Sequence, residues 1–275
     1  MSPADQSFSV LSRTWWALYV PLGTLLGYCV VAILALSLGL SPVWATIVTG
    51  VIAAACVLAL RAHKPPLFDP AARAGGEVAA RGRLPRGMWL PMILALGLAF
   101  LAGQVLGMLV LTSTGGAGFE HSVADREAGG VLPALLLSLL IAPVAEEALM
   151  RGLVYPLLRR RLSIVVSVIL TLATFAVMHM NAVQMLAVAP LSVLLCWIYE
   201  RTNSLAACMA GHFLFNVAAL TVPAGLIGAL TNPVVGVVLT VLFICAMVLL
   251  RQVDWHYAHE REIQHSRTVP RSRIQ

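Results

Sequence analysis

The sequence predicts an all-α fold, a polytopic membrane bundle of about eight transmembrane helices. Three observations carry this expectation. Hydrophobic residues make up 60% of the chain and charged ones 11%, with a mean hydropathy of +0.89, whereas about 25% of the residues in a soluble domain are charged. The apolar residues gather into runs of roughly 20, the length a helix needs to cross the hydrocarbon core of a bilayer. The basic residues fall between alternate runs, the sorting that membrane topology imposes.

The runs lie at residues 15–39, 42–60, 89–112, 131–155, 163–181, 183–200, 203–222 and 226–250. The first outlasts the apolar core of a signal peptide, roughly 7 to 15 residues, and reads as an uncleaved span. The weakest separations are at Asn181 and at Glu200-Arg201-Thr202-Asn203, so a seven-helix count stays open. With eight spans and the N-terminus inside, every lysine and arginine lies on the cytoplasmic side except Arg126, in an outer loop, and Arg151, within a span. A seven-helix count would put the late arginines outside. Pro65-Pro66, Gly75-Gly76 and several arginines make 61–88 read as a solvated basic cytoplasmic loop, and Gly115-Gly116 marks a flexible outer one. Trp15, Trp16, Trp89, Trp197 and Trp255 stand near predicted helix ends, as an interfacial aromatic belt would place them. The formal charge of +6 is sorted by membrane side and does not indicate nucleic acid. The five cysteines sit in apolar runs without C-x-x-C spacing and read as small core residues. His256, His259 and His265 lack a ligand spacing, so the tail reads as mobile or interfacial.

Against this apolar background, Pro143 to Arg151 reads P-V-A-E-E-A-L-M-R. An ionised side chain at bilayer depth costs at least about 2.5 kcal/mol, so these groups need partners or a wet cavity. Glu147 and Arg151 are four apart with the acid first, the favourable order for an ion pair on one helix face. Glu146 is rotated by about 100° from Glu147 and about 140° from Arg151, so that pair leaves it free to act. Pro143, three residues earlier, is expected to loosen the helix beside it. Two further spans carry polar groups: F-A-V-M-H sets Phe175 and His179 on one face, and G-H-F-L-F-N sets His212 and Asn216 on one face beside Gly211, which permits close approach. A lone intramembrane histidine is ordinarily an interhelical hydrogen-bond partner. Together Glu146, His179, His212 and Asn216 supply a carboxylate, two imidazoles and an amide, the group types that activate water and stabilise an oxyanion.

The elements E-E-A-L-M-R, F-A-V-M-H and H-F-L-F-N, in this order on successive helices, resemble the motifs E-E-x-x-x-R, F-x-x-x-H and H-x-x-x-N of the CAAX-protease and bacteriocin-processing (CPBP, Abi) family of intramembrane proteases. That family includes the type II CAAX prenyl endopeptidases. The resemblance covers about residues 131 to 222 and departs at no motif position. It implies a hydrolase, an endopeptidase that cuts a membrane-associated or lipidated peptide or protein reaching it from the membrane or the cytoplasmic side. Glu146 would be the base that takes a proton from water, helped by His179. His212 and Asn216 would hold the oxyanion, with Glu147, Arg151 and Phe175 in support. The family often bears a metalloprotease label, and Glu146, His179 and His212 are zinc ligands by type. There is no H-E-x-x-H, and Asn216 suits hydrogen bonding, so metal-free water activation is favoured and zinc stays open.

On this reading the chain divides into a three-helix region (1–130) containing the loop 61–88, a catalytic core (131–222), a last transmembrane helix (223–250) and a cytoplasmic tail (251–275). The protein would sit in the cytoplasmic membrane with both termini inside and lipid as its surroundings. An ion-coupled transporter is the main rival, since buried acids and histidines also relay protons, though no internal repeat or paired broken helices appear. A non-catalytic membrane scaffold or immunity protein is the other. One feature fits poorly. Counted from the inner helix ends, His179 lies about 10 Å further toward the outer face than Glu146 and His212.

Overall fold

A bilayer offers the backbone no water, so each spanning segment must close its own hydrogen bonds, and the apolar runs become helices. The computed structural model describes residues 3–73 and 86–268, with side chains described for 12–71, 73 and 87–253. Arg81, Arg83, Gly75-Gly76, the side chains of His256, His259, His265 and Trp255, and the end of the tail lie outside the described residues. Ten helices follow in chain order among the described residues, counting Val131–Arg159 as one, with no strand. They are α1 (Pro3–Ser37), α2 (Pro42–His63), α3 (Trp89–Thr114), α4 (Ala117–Ala128), α5 (Val131–Arg159), α6 (Ile164–Met178), α7 (Ala182–Thr202), α8 (Leu205–Thr221), α9 (Ala224–Leu230) and α10 (Pro233–Thr268).

The molecule is an integral membrane helical bundle. Seven of the eight apolar runs each coincide with one helix, the eighth (226–250) is broken at Thr231-Asn232 between α9 and α10, and six helices (α1, α2, α3, α5, α7 and α10) are long and apolar enough to cross a membrane. Helices α8 and α9 make a seventh span if taken together, bent by 93° at Val222-Pro223. The remaining helix, α6, is a single 15-residue segment, about 22 Å at 1.5 Å per residue, and falls short of the hydrocarbon thickness. The weak separations are real breaks. The Asn181 side chain caps α7 by accepting from Gln184 N–H. Asn203 ends α7 in the left-handed region (φ 51°), and Ser204 caps α8 through Ala207 N–H.

Two regions differ from the sequence expectation. The described part of the loop 61–88 is largely exposed, yet residues 65–73 form short 3-10 turns anchored to the bundle at two points. Phe68 is buried beneath the Arg61 guanidinium, and Arg73 is bonded to Glu200 and Asn203. Aromatic burial and a charged pair outweigh the polar turn composition there. The outer loop is not simply flexible either, because Gly115 and Gly116 (φ 81° and 53°) turn the chain into α4, whose polar sequence keeps it on the surface. The tail from Arg251 continues as helix to Thr268.

Glycine and alanine set the tightest contact. On α3, Ala95, Ala99, Gly103 and Gly107 recur every fourth residue on one buried face. A Cβ built on Gly103 would stand 2.0 Å from Ala187 O of α7, and one on Gly107 would stand 2.9 Å from Val183 O. Small residues let helices approach in lipid, where no hydrophobic force drives them together. Helix α5 is held in a similar way, with Gly50 of α2 against Ile141 and Ala145, and Gly152 against Val57.

The basic end of the bundle is tied by one acid. Glu200 accepts from Arg73 at 3.1 Å, from Arg159 at 3.1 Å and from the Tyr155 hydroxyl at 2.9 Å. Arg160 donates to Pro66 O and Leu67 O, and Trp16 Nε1 donates to Leu157 O. Trp15 and Trp89 are exposed, Trp89 at the start of α3 and Trp15 twelve residues inside α1, whereas Trp197 packs partly into the core. Gly103→Ala should destabilise the protein by about 1 to 3 kcal/mol, because a backbone carbonyl cannot move aside as a side chain could. Detergent-titrated unfolding followed by circular dichroism checks this, and a neutral effect would contradict the packing.

Candidate active site

Helix α5 is not uniform, and its irregularities flank the acidic pair. Leu137–Ile141 and Met150–Val154 wind as π-helix, in which Ala142 N–H donates to Leu137 O and Tyr155 N–H to Met150 O. Each π turn is followed by proline at its second position, Pro143 and Pro156. Proline removes an N–H and its ring crowds the preceding turn, which the wider register relieves. The loosening expected at Pro143 therefore takes this form. Between the two π turns, Ala142–Leu149 is regular helix and carries Glu146 and Glu147.

Glu147 and Arg151 form the ion pair, Oε1 to Nη1 at 3.0 Å, with neither side chain exposed. The second guanidinium nitrogen, Nη2, donates to Ser192 O at 2.7 Å and Ser192 Oγ at 2.9 Å on α7. Below the guanidinium lies the Phe175 ring, 5.6 Å from Cζ. Glu147 Oε1 also accepts from His212 Nδ1 at 2.8 Å, so the pair is part of a chain of contacts that runs into α8. His212 Nε2 faces Glu146, 3.7 Å from Oε2. Glu146 keeps 23% of its side chain exposed, while His212 is buried. The sequence offered His212 as a neighbour of Glu146 and gave no sign that Glu147 would hold its other nitrogen.

His179 caps the C-terminus of α6, and its Nδ1 lies 2.9 Å from Phe175 O. A carbonyl only accepts, so Nδ1 carries the hydrogen and a neutral His179 presents Nε2 as an acceptor. The Phe175 ring stands edge-on to both imidazoles, its centroid 4.8 Å from that of His179 and 6.2 Å from that of His212. Phe175 thus bridges the difference in depth: one turn below His179, it reaches the level of Arg151 and His212. Asn216 Nδ2 donates to Ser138 O of α5 at 2.8 Å.

Residues 128–218 match the family Rce1-like, described as type II CAAX prenyl endopeptidase Rce1-like. The chain carries an Rce1-like domain. Glu146, Phe175, His179, His212 and Asn216 all lie within it, and so does the whole network around Arg151. The match spans about a third of the chain and supports a CAAX-type intramembrane endopeptidase in general. No curated protein and no solved structure matches the chain.

Two partners of the Rce1-like site escaped sequence reasoning. Ser192 is an unremarked hydroxyl in an apolar helix, and only the tertiary fold sets it beside Arg151. Tyr28 of α1 lies outside the matched segment, yet it packs on the apolar cluster that includes Ala145 and Phe175 and lies within reach of the Glu146 charge. Among the described residues, no three His, Cys, Asp or Glu side chains group so as to hold a metal ion, and Glu146, His179 and His212 as arranged do not fit one. Arg151→Leu should destabilise the protein by about 3 to 5 kcal/mol, since it strands the buried Glu147 carboxylate. Unfolding titration of the variant measures this, and a change below about 1 kcal/mol would contradict so dry a pair.

Proposed function

We propose that the site hydrolyses a peptide bond of a membrane-associated or lipidated substrate, with Glu146 as general base on water. The observation that carries this is His212 held between two carboxylates, one of them clamped by Arg151. With His212 neutral, Glu146, Glu147, Arg151 and His212 together hold one net negative charge; with both ring nitrogens protonated they balance. Charge balance matters in an apolar interior, where an uncompensated ion is costly. In that form Nδ1–H donates to Glu147 and Nε2–H points toward Glu146, where an oxyanion would form beside the attacked carbon.

The water oxygen bonds to the scissile carbonyl carbon as its proton passes to Glu146. His179, accepting through Nε2, orients that water. The oxyanion takes hydrogen bonds from His212 Nε2–H and Asn216 Nδ2–H, donors fixed by packing that need no reorganisation as charge develops. When the carbon–nitrogen bond breaks, Glu146 returns its proton to the leaving amine. Lipid surrounds the bundle, and the exposed edge of Glu146 is where the peptide would reach the water. By the positive-inside rule, the end carrying Arg61, Arg73, Arg160 and Arg201 faces the cytoplasm, with both termini on that side of the cytoplasmic membrane.

Purified protein in detergent should cleave members of a peptide library that includes prenylated C-terminal sequences. Glu146→Gln keeps the shape but removes the base, and should lower the rate by about 10²- to 10⁴-fold; His179→Ala should lose activity as well. Undiminished cleavage by Glu146→Gln would rule out this mechanism, and absence of any cleavage by the wild type would favour a transporter or a scaffold. A C-terminal tag should be protease-sensitive only in inside-out vesicles, and sensitivity in right-side-out vesicles would reverse the orientation.

A further inference from the structure

We infer that Pro143 is a positioning residue for Asn216: by lacking an N–H it reserves the Ser138 carbonyl for the Asn216 amide. Residues Leu137–Ile141 follow i→i+5 register, with Ala142 N–H donating to Leu137 O. The next bond of that register would run from residue 143 to Ser138 O, and residue 143 is proline. A partly buried carbonyl in an apolar span is costly to leave without a donor. Asn216 Nδ2 supplies the donor at 2.8 Å from another helix.

A second interhelical bond to an α5 carbonyl lies beside the π turn Met150–Val154 and Pro156, where Arg61 Nη1 of α2 donates to Gly152 O at 2.8 Å. In both places a carbonyl of α5 near a π turn and a proline receives a side chain from a different helix. At Gly152 the result is structural. At Ser138 the side chain is one on which the proposed chemistry depends.

The contact also fixes how the amide can act. Because Ser138 O accepts, the nitrogen of Asn216 must face α5, and only one of its two hydrogens remains. Asn216 therefore offers a single N–H to an oxyanion, in a direction set by the planar amide. A carboxamide without that anchor could rotate and present its oxygen, which would repel developing negative charge. Pro143 touches neither substrate nor water and acts through Asn216 alone. The consequence for catalysis rests on the oxyanion role proposed above, whereas the anchoring itself does not.

The test is Pro143→Ala, which restores a backbone N–H and places the best helix former in the helix, so folding is retained. The chain has four asparagines, Asn181, Asn203, Asn216 and Asn232. Selective labelling with side-chain ¹⁵N asparagine in detergent micelles gives few amide pairs, and Asn216→Ala assigns the one that disappears. In the wild type the two Asn216 amide protons should be well separated in shift, with slow exchange. In Pro143→Ala they should draw together and exchange at least about 10-fold faster, as expected when a bond of about 1 to 1.5 kcal/mol is lost. An unchanged pair overturns the inference, whatever the protein cleaves.

The kinetic arm reads kcat and KM on a cleaved peptide. Pro143→Ala should lower kcat by about 10-fold at unchanged KM, less than the 10²- to 10³-fold expected for removing an oxyanion donor outright. It should add nothing in an Asn216→Ala background. Full additivity of the two losses would mean that Pro143 acts elsewhere and would overturn the inference. If Asn216→Ala cleaves like the wild type, the oxyanion role fails, and the amide signal still decides the anchoring.

Discussion

The buried Glu147–Arg151 pair is the constraint on which the rest of the site depends. Two ions removed from water need every available partner, and neither side chain has access to solvent. A single helix can make the ion pair but cannot finish the solvation. Ser192 of α7 supplies a carbonyl and a hydroxyl, His212 of α8 an N–H, and Phe175 of α6 the face of a ring. Those requirements draw four helices to one point. Whatever Glu146 and His212 do, they do it beside a pair that cannot shift without exposing a charge to hydrocarbon.

Helix α5 meets a second requirement in its backbone. Two π turns and two prolines interrupt its regular ladder, and neighbours on α2 and α8 donate to Gly152 O and Ser138 O beside them. An ideal helix would present only side chains to its neighbours. Here the main chain also offers acceptors, so α5 can be gripped at both ends of the acidic pair while that pair sits in regular helix. The grip is polar and directional, and in lipid direction is what an apolar contact lacks.

Around this centre the packing is sorted by residue size. The α3–α7 seam is a run of alanine and glycine pressed on a backbone carbonyl, and it forms one stable half of the bundle with α8 and α10. The other half, α1, α2, α5 and α6, builds a smaller cluster with Phe175 at its edge. Charged residues close the basic end. Glu200 joins the strap after α2, the end of α5 and the end of α7. In sequence it was only a neighbour of a helix break, because a salt bridge between residues 127 apart has no local signature.

The sequence alone determined the order of the main apolar segments, the i,i+4 ion pair and the three polar motifs, because these depend on length, hydropathy and helical period within a single segment. It did not reveal the anchored 3-10 turns within residues 65–73 or the helix at Ala117–Ala128, where packing and capping make structure. It named Glu146, His179, His212 and Asn216 without their neighbours. Only the tertiary fold decided that Glu147 holds His212, that Ser192 bonds Arg151 Nη2, that Phe175 links the two imidazoles and that Asn216 is tied to Ser138. The physical reason is that each of these contacts joins helices whose relative placement is set by close approach of small residues and by the need to pair buried polar atoms, and neither can be read one helix at a time.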